Sequence, residues 1–191
     1  MLSSLYRIFF QDNSLSPEDT INQGLFEMLS KRNHTYNALL LTDNGVFVTA
    51  AHCLYGDYNI QSGSVDSKGD FPRSRLILAH HSGDVGIGKL EMRGSSKPIS
   101  YTFAEPQVGQ KVTLLTKRGE IIQTPGVVDR LEPYFFGLEI NARAGDSGGV
   151  IVNEDFGIVG LLSSVNAENH RAYATRSTAI TGLINQIIYP T

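Results

Sequence analysis

Residues 145–152 have the sequence Gly-Asp-Ser-Gly-Gly-Val-Ile-Val, in which a serine lies between glycines and an apolar run follows directly. Glycine allows backbone conformations that other residues avoid, so the hydroxyl of Ser147 can stand on a tight turn with amide groups aimed at the same point. An acyl-transfer nucleophile needs this arrangement. Glycine, aspartate and serine also favour ordinary turns, so the rest of the chain has to distinguish a site from a plain turn.

Length and composition indicate one ordinary globular domain. The chain has 191 residues, enough for a sizeable core, and a modest charged fraction of 18%. Its formal net charge of −3 and the lack of a basic tract give no electrostatic case for nucleic acid as a partner. Because Cys53 is the single cysteine, no intrachain disulfide is expected, and we expect its thiol to be a small buried hydrophobe.

The N-terminal apolar run from Leu5 to Phe10 is short, is broken by Arg7 and lacks a small-residue cleavage site after it. It fits neither a signal peptide nor a membrane span. We therefore expect a cytoplasmic, reducing location, with a secreted form whose leader has been removed as the open alternative. The sequence leaves the oligomeric state open.

Two helices are predicted, one near each end of the chain. Residues 16–19, Ser-Pro-Glu-Asp, form a helix start, since they combine a cap, a proline for the first helical position and acids for the positive end of the dipole. Apolar residues then recur at helical spacing and predict an amphipathic helix from Ser16 to Lys31 that packs on its own domain: Ile21, Leu25, Met28 and Leu29. A last helix opens at Thr178, with its apolar stripe at Ile180, Leu183, Ile184, Ile187 and Ile188.

Between the helices the pattern is that of short strands. Apolar runs at 38–41 and 46–49 surround an Asn44-Gly45 turn and predict a hairpin. Residues 93–110 contain two prolines and several polar residues, and we interpret them as a connection between two halves. This pattern indicates a closed or nearly closed β architecture. The other predicted strands are 58–60, 75–79, 85–90, 111–116, 120–123, 126–131, 135–140, 150–152, 158–163 and 171–175.

Two further blocks give Ser147 its context. His52 follows a strand in residues 48–54, Val-Thr-Ala-Ala-His-Cys-Leu, and Asp84 opens the apolar strand 84–90, Asp-Val-Gly-Ile-Gly-Lys-Leu. With residues 145–149 these blocks resemble, in order and separation, the chymotrypsin-like (trypsin-like) serine proteases. The resemblance covers roughly Thr35 to Thr191.

The resemblance implies an all-β fold of two six-stranded antiparallel barrels with the active site in the cleft between them. We expect a helical extension at 1–34 and a protease domain at 35–191, with the first barrel at 35–100 and the second barrel and C-terminal helix at 101–191. It also implies a triad of His52, Asp84 and Ser147, and an oxyanion hole formed by the backbone amides of Gly145 and Ser147.

The chemistry of these residue types agrees with the implied roles. A serine hydroxyl is a weak nucleophile and needs a base, and histidine has a pKa near neutral pH. The histidines at 34, 80, 81 and 170 are isolated, and the aspartates at 57, 66 and 70 open no apolar strand. No cluster has metal-ligand spacing, so neither a metal nor a cofactor is expected.

The chain departs from the resemblance in two places. Asn37 lies where the secreted animal members carry the cysteine that pairs with the one after the catalytic histidine. The absence of this cysteine favours the cysteine-poor bacterial and viral branches, including the HtrA type. Residues 127–130 and 173–176 are weakly similar to that branch. In activated family members a newly freed N-terminal amine pairs with the aspartate at the position of Asp146, and here we find no such cleavage block before the first barrel. Since a buried unpaired carboxylate is costly, we expect the extension or a nearby cation such as Arg143 to support Asp146.

The resemblance also implies a specificity pocket. Its floor falls on Asn141, and its walls on Gly160, Leu161 and Leu162 and on the region that contains Ala172 and Ala174. An uncharged floor gives no counter-ion for Lys or Arg, so we expect a small or medium uncharged substrate side chain. An acidic one is the alternative if Arg143 or Arg171 contributes.

The predicted function is a serine endopeptidase that acts on polypeptide substrates through an acyl-enzyme intermediate. One alternative is a catalytically silent or regulated binding module on the same fold. Another is an esterase or other acyl transferase that uses the same residues.

Overall fold

The computed structural model describes residues 15–29, 34–54, 61–63, 74–91 and 96–188. Twelve strands fill most of this part of the chain, and a helix lies near each end. Within the described ranges, no helix is long and apolar enough to cross a membrane.

The first helix is shorter than the sequence predicts. Helix α1 covers Pro17–Gly24, and Ser16 caps it by accepting the N–H of Asp19 at 3.1 Å. Strand β1 (Leu25–Leu29) follows directly, so the predicted helical extension to Lys31 is wrong in its second half. The physical reason is burial on both sides of the chain: Leu25, Phe26 and Met28 are all buried, and a strand directs such neighbours into different parts of the core.

The N-terminal half forms a six-stranded antiparallel sheet in the order β4-β1-β2-β3-β6-β5. Its other strands are β2 (Thr35–Leu40), β3 (Val46–Ala50), β4 (Gln61–Gly63), β5 (Ser74–His80) and β6 (Val85–Leu90). The predicted hairpin is confirmed, with Gly45 at φ 96° in the β2–β3 connection. The described residues record no pairing between the edge strands β4 and β5, so closure of a first barrel stays a prediction. The strand expected at 58–60 lies outside the described residues.

The C-terminal half forms a closed six-stranded barrel in the order β10-β11-β12-β9-β8-β7, which confirms one of the two predicted barrels. Strand β8 is one continuous strand where two short ones were expected. The described connection before the barrel, 96–110, contains neither helix nor strand. Helix α2 (Ser177–Ile188) follows the barrel, whose strands are β7 (Lys111–Arg118), β8 (Glu120–Leu131), β9 (Phe135–Ile140), β10 (Val150–Val152), β11 (Ile158–Asn166) and β12 (Arg171–Arg176).

One apolar cluster joins the two halves. Leu39, Val48 and Ile87 from the sheet pack with Leu115, Val150 and Leu161 from the barrel, and Ile180, Leu183 and Ile184 of α2 complete the cluster. Because burial of apolar surface is the main favourable contribution to folding, this cluster fixes the relative position of the sheet and the barrel. Side chains at the boundary between the sheet and the barrel are therefore held in fixed positions relative to one another.

Two glycines offer a matched test of barrel packing. A Cβ at Gly160 of β11 would lie 2.5 Å from both the Phe136 ring and the carbonyl oxygen of Thr175, whereas a Cβ at the exposed Gly182 of α2 meets nothing within 4 Å. We expect Gly160→Ala to lower the free energy of unfolding by about 1–3 kcal/mol through overpacking. Gly182→Ala should raise it by about 0.5–1 kcal/mol because alanine loses less backbone entropy in a helix. Urea unfolding measures both, and equal effects would contradict the packing described here.

Candidate active site

His52 and Asp84 come from the ends of two paired strands. Strands β3 and β6 pair antiparallel, with Ala50 opposite Val85, so the residues just beyond them meet. His52 lies on a 3-10 turn after β3, and its backbone N–H donates to Asp84 Oδ1 at 2.9 Å. Its ring Nδ1 lies 2.7 Å from Asp84 Oδ2. The expected contact between these two side chains is therefore present.

The turn before β6 holds Asp84 in position. Asp84 has a φ of 49°, in the left-handed region, where aspartate is one of the few residues found regularly. The Gly83 N–H donates to His80 Nδ1 at 2.9 Å, and the buried hydroxyl of Thr175 in the barrel donates to the Gly83 carbonyl. His80, which we interpreted as an isolated loop residue, thus lies at the end of β5 and orders this turn.

Ser147 lies on the loop between β9 and β10. Gly148 has φ 83°, and a Cβ there would collide with the carbonyl oxygen of Asn37, so only glycine fits this close approach. The Asn37 N–H donates to the Ser147 carbonyl at 2.9 Å. The loop that carries Ser147 therefore lies directly against strand β2 of the N-terminal sheet.

Ser163 of β11 forms hydrogen bonds with both Asp84 and Ser147, and it is not among the site residues predicted from the sequence. Its hydroxyl donates to Asp84 Oδ2 at 2.5 Å, and its carbonyl accepts the Ser147 hydroxyl at 3.2 Å. With the two N–H groups of His52, this hydroxyl gives the Asp84 carboxylate three hydrogen bonds. The sequence feature that points to Ser163 is the change from the apolar run 158–162 to a serine at the end of the predicted strand.

His52 and Ser147 share a cavity without a direct hydrogen bond. The cavity has a volume of about 700 Å³, and its lining includes His52, Asp84, Ser147, Ser163 and Val165. Among the described residues the Ser147 hydroxyl bonds only to Ser163, while His52 Nε2 lies 3.8 Å from Cys53 Sγ. The structure therefore brings both side chains to one cavity, with His52 bonded to Asp84 and Ser147 bonded to Ser163.

The loop before Ser147 presents two backbone amides. The Asp146 N–H donates to the Arg143 carbonyl at 3.0 Å, and Gly145, third in this four-residue turn, has φ 95°. A positive φ at that position defines a type II turn, which glycine suits best. Within the described part of the chain, no acceptor is recorded for the N–H of Gly145 or of Ser147. Both residues line the cavity that contains His52.

Asp146 is supported by a residue that the sequence did not suggest. The guanidinium of Arg118, at the end of β7, donates to Asp146 Oδ1, while Oδ2 accepts the backbone N–H of Arg143 at 3.0 Å. The expectation of a cation is confirmed, but Arg143 contributes its backbone and not its charge. Arg118 precedes Gly119 in a tight strand connection, a pattern that carries no sign of a contact 28 residues away.

The residues predicted to form the specificity pocket do not line the cavity that His52 and Ser147 share. Strand β11 has a bulge between Leu162 and Ser164, and the residues of this strand that border the cavity are Ser163, Ser164 and Val165. Asn141 is exposed and lines a separate cavity of about 310 Å³ with Arg118, Arg143 and Asp146. Leu162, Ala172 and Ala174 lie in the core of the barrel, where Gly160 packs against Phe136, and Leu161 lies in the cluster that joins the two halves.

The His52–Asp84 pair shifts the pKa of both groups. The hydrogen bond to Asp84, followed by the contact with Cys53, raises the pKa of His52 to about 10. Burial raises the pKa of Asp84, but the hydrogen bonds from His52 and Ser163 outweigh burial, so that this pKa lies below its ordinary value. The resting pair is therefore an imidazolium and a carboxylate at neutral pH.

Solved structures share this fold. No protein-family model matches the sequence, and no curated protein matches it. The crystal structure of an inactive serine-to-alanine mutant of Rv3671c from M. tuberculosis matches with a TM-score of 0.66 at 16% identity, covering 86% of each chain. The serine endoprotease from Yersinia pestis matches with a TM-score of 0.71 at 14% identity, covering 93% of this chain and 68% of the other. These similarities support a chymotrypsin-like protease fold.

The His52 titration tests the described pair. In Asp84→Asn we expect the His52 pKa to fall from about 10 towards the ordinary value of about 6.5, because the hydrogen bond to a charged acceptor is lost. NMR titration of the imidazole Cε1–H signal measures the change, with His170, which is exposed, as the internal control. An unchanged His52 pKa in the variant would contradict the assigned cause.

The same pair gives stability a pH dependence whose sign is defined. A raised pKa in the folded state means that the contribution of His52 is fully present below about pH 6.5 and is lost as pH rises through about 10. The unfolding free energy of wild type should therefore exceed that of Asp84→Asn more at about pH 6 than at about pH 10. Urea unfolding at the two pH values compares them, and a gap that widens with pH would contradict the sign.

Proposed function

We propose that this chain is a serine endopeptidase that hydrolyses peptide bonds through Ser147, His52 and Asp84. The observation that carries the proposal is the shared cavity, whose lining combines the buried Ser147, the carboxylate-paired His52 and Gly145 of the loop before Ser147. Each of these groups matches a role in acyl transfer. The similarity to serine proteases supports the fold on which this site is built.

The first step is attack by Ser147 on the substrate carbonyl. The hydroxyl leaves its hydrogen bond with the Ser163 carbonyl, and its proton passes to His52 Nε2 as the oxygen–carbon bond forms. The negative charge moves to the substrate oxygen, where the N–H groups of Gly145 and Ser147 stabilise it. One such donor contributes roughly 3–4 kcal/mol in related chemistry.

The second half of the reaction returns the enzyme to its starting state. His52 gives its proton to the departing amine as the carbon–nitrogen bond breaks, which leaves an ester on Ser147. Water then attacks the ester, His52 takes one water proton, and the acid product leaves as that proton returns to the serine oxygen. Asp84 holds Nδ1 throughout, so Nε2 is the atom that exchanges protons.

The raised pKa of His52 affects the first step directly, because only the neutral imidazole accepts a proton. The rate of Ser147 acylation should therefore increase with pH above neutrality, up to the His52 pKa of about 10. A substrate that brings the Ser147 hydroxyl to Nε2 favours the neutral ring and lowers this requirement.

Labelling with a fluorophosphonate probe tests the proposal. We expect wild type to be labelled, with a rate that rises from about pH 7 to pH 9, and Ser147→Ala to remain unlabelled. Hydrolysis of a casein or peptide mixture by wild type, and its loss in Ser147→Ala, would extend the result from acyl transfer to proteolysis. Folded wild-type protein that is not labelled would exclude the proposal.

The resting geometry also favours a second candidate, a catalytically silent or regulated binding module on the same fold. Its basis is the Ser147 hydroxyl turned to the Ser163 carbonyl and the imidazolium form of His52. The labelling experiment separates the two candidates, since a silent module leaves Ser147 unlabelled at every pH.

Asn37 and the buried free thiol of Cys53 support placing either candidate in the cysteine-poor bacterial, viral or HtrA-type branch.

The cavity supports a preference for uncharged substrate side chains. Asp84 is the acidic residue in its described lining, and its carboxylate is already bonded to His52 and Ser163. No described counter-ion is left there for Lys or Arg, and Val165 adds an apolar side chain to the lining. In a peptide library we expect cleavage after small or medium uncharged residues, and a dominant Lys or Arg preference would contradict this prediction.

A further inference from the structure

Two polar residues on neighbouring strands of the N-terminal sheet bind the connection between β7 and β8. Glu27 of β1 and Asn37 of β2 are direct partners in the antiparallel register, and they are 6% and 1% exposed. Glu27 Oε1 accepts the Gly119 N–H, and Asn37 Oδ1 accepts the Lys117 N–H at 2.7 Å. The residue between these two amides is Arg118, so the backbone on both sides of Arg118 is fixed by the N-terminal sheet.

Arg118 transmits this constraint to the loop that carries Ser147. Its guanidinium pairs with Asp146 Oδ1, and the two side chains are 27% and 8% exposed. A carboxylate at that depth needs a partner, because an uncompensated buried charge is strongly unfavourable. Without Arg118 in place, the Asp146 side chain has to move towards water, and the turn formed by 143–146 has to move with it.

Asn37 reaches the same loop directly. Its Nδ2 donates to the Gly145 carbonyl at 3.3 Å, and its backbone N–H donates to the Ser147 carbonyl at 2.9 Å. These are the two residues whose N–H groups are available to an oxyanion. One buried asparagine of the N-terminal sheet therefore bonds both members of the candidate oxyanion hole and the strand that presents Arg118.

We propose that Glu27, Asn37 and Arg118 are positioning residues that hold the oxyanion loop, so that strand β1 determines whether the Gly145 and Ser147 amides converge on the substrate oxygen. This inference rests on the proposed function and extends it to the N-terminal segment. Glu27 touches neither substrate nor reacting atoms in this scheme. It acts through the Gly119 N–H, Arg118 and Asp146.

Three variants test the role of Glu27. Glu27→Ala removes the acceptor for the Gly119 N–H, whereas Glu27→Gln keeps an amide oxygen that can accept it. Asn153→Ala is the matched control, because Asn153 Oδ1 accepts the Asp155 and Gly157 N–H groups at 2.9 Å each and orders a connection elsewhere, between β10 and β11. Thermal unfolding establishes that each variant folds and how far each is destabilised.

The first readout is reactivity of Ser147. We expect Glu27→Ala to slow fluorophosphonate labelling by about 10- to 100-fold, approaching the loss on removal of one oxyanion donor. With a peptide substrate the loss should fall on kcat and leave KM nearly unchanged, because the oxyanion forms in the transition state. Glu27→Gln should recover most of the rate, and Asn153→Ala should match wild type. A Glu27→Ala variant that folds and reacts like the control would overturn the proposal.

The second readout does not depend on activity. In a Ser147→Ala background, hydrogen exchange of residues 143–149 followed by mass spectrometry should be faster with Glu27→Ala than with Asn153→Ala. This comparison keeps the two proposals distinguishable: absence of labelling in wild type excludes the proposed function, while equal exchange in the two variants excludes the positioning role.

If Glu27→Ala does not fold, Arg118→Ala takes its place. Its labelling rate should rise on addition of methylguanidinium and not of tetramethylammonium, and equal responses would overturn the proposal.

Discussion

The buried carboxylate of Asp146 is the constraint on which the candidate site depends. Asp146 is 5% exposed and lies directly before Ser147, so its position and that of the hydroxyl cannot be changed independently. Removal of a carboxylate from water is unfavourable unless charge and hydrogen bonds replace the solvent. Arg118 supplies the charge, and the Arg143 N–H supplies a further hydrogen bond. Because Arg118 is held by the N-terminal sheet, the loop conformation becomes a property of the whole molecule rather than of the loop sequence.

Asp84 has the corresponding role on the other side of the cavity. It lies in the N-terminal half, yet the Ser163 hydroxyl that completes its hydrogen bonds comes from the barrel. The Ser163 carbonyl in turn accepts the Ser147 hydroxyl. The arrangement of Asp84, His52 and Ser147 therefore depends on docking between the halves, which the apolar cluster of Leu39, Val48, Leu115 and their neighbours stabilises. Polar contacts set the geometry at this boundary, and apolar burial contributes most of the free energy that keeps it closed.

The sequence predicted those features that local pattern controls. The strands of the barrel, the Asn44-Gly45 hairpin and the meeting of His52 with Asp84 follow from alternation, turn chemistry and recognisable blocks. The spacing of Ile21, Leu25 and Met28 favours a helix, but pairing with β2 makes the chain a strand after Gly24. The bulge in β11 lies between Leu162 and Ser164, next to the residues that border the cavity, and no local pattern in the sequence predicts it. Ion pairing of Arg118 with Asp146 joins residues far apart in the chain, so no local pattern predicts it.

The left-handed backbone of Asp84 limits which residues this position accepts. At a φ of 49°, residues other than glycine, asparagine and aspartate pay a steric penalty between Cβ and the backbone. Of these three, aspartate alone carries a negative charge. The positive φ restricts this position to glycine, asparagine or aspartate, and the negative charge that pairs with His52 restricts it further to aspartate. A lineage that no longer needed the charge could accept asparagine there with little damage to the fold. Such a descendant would keep the backbone of this turn and lose the negative charge beside His52.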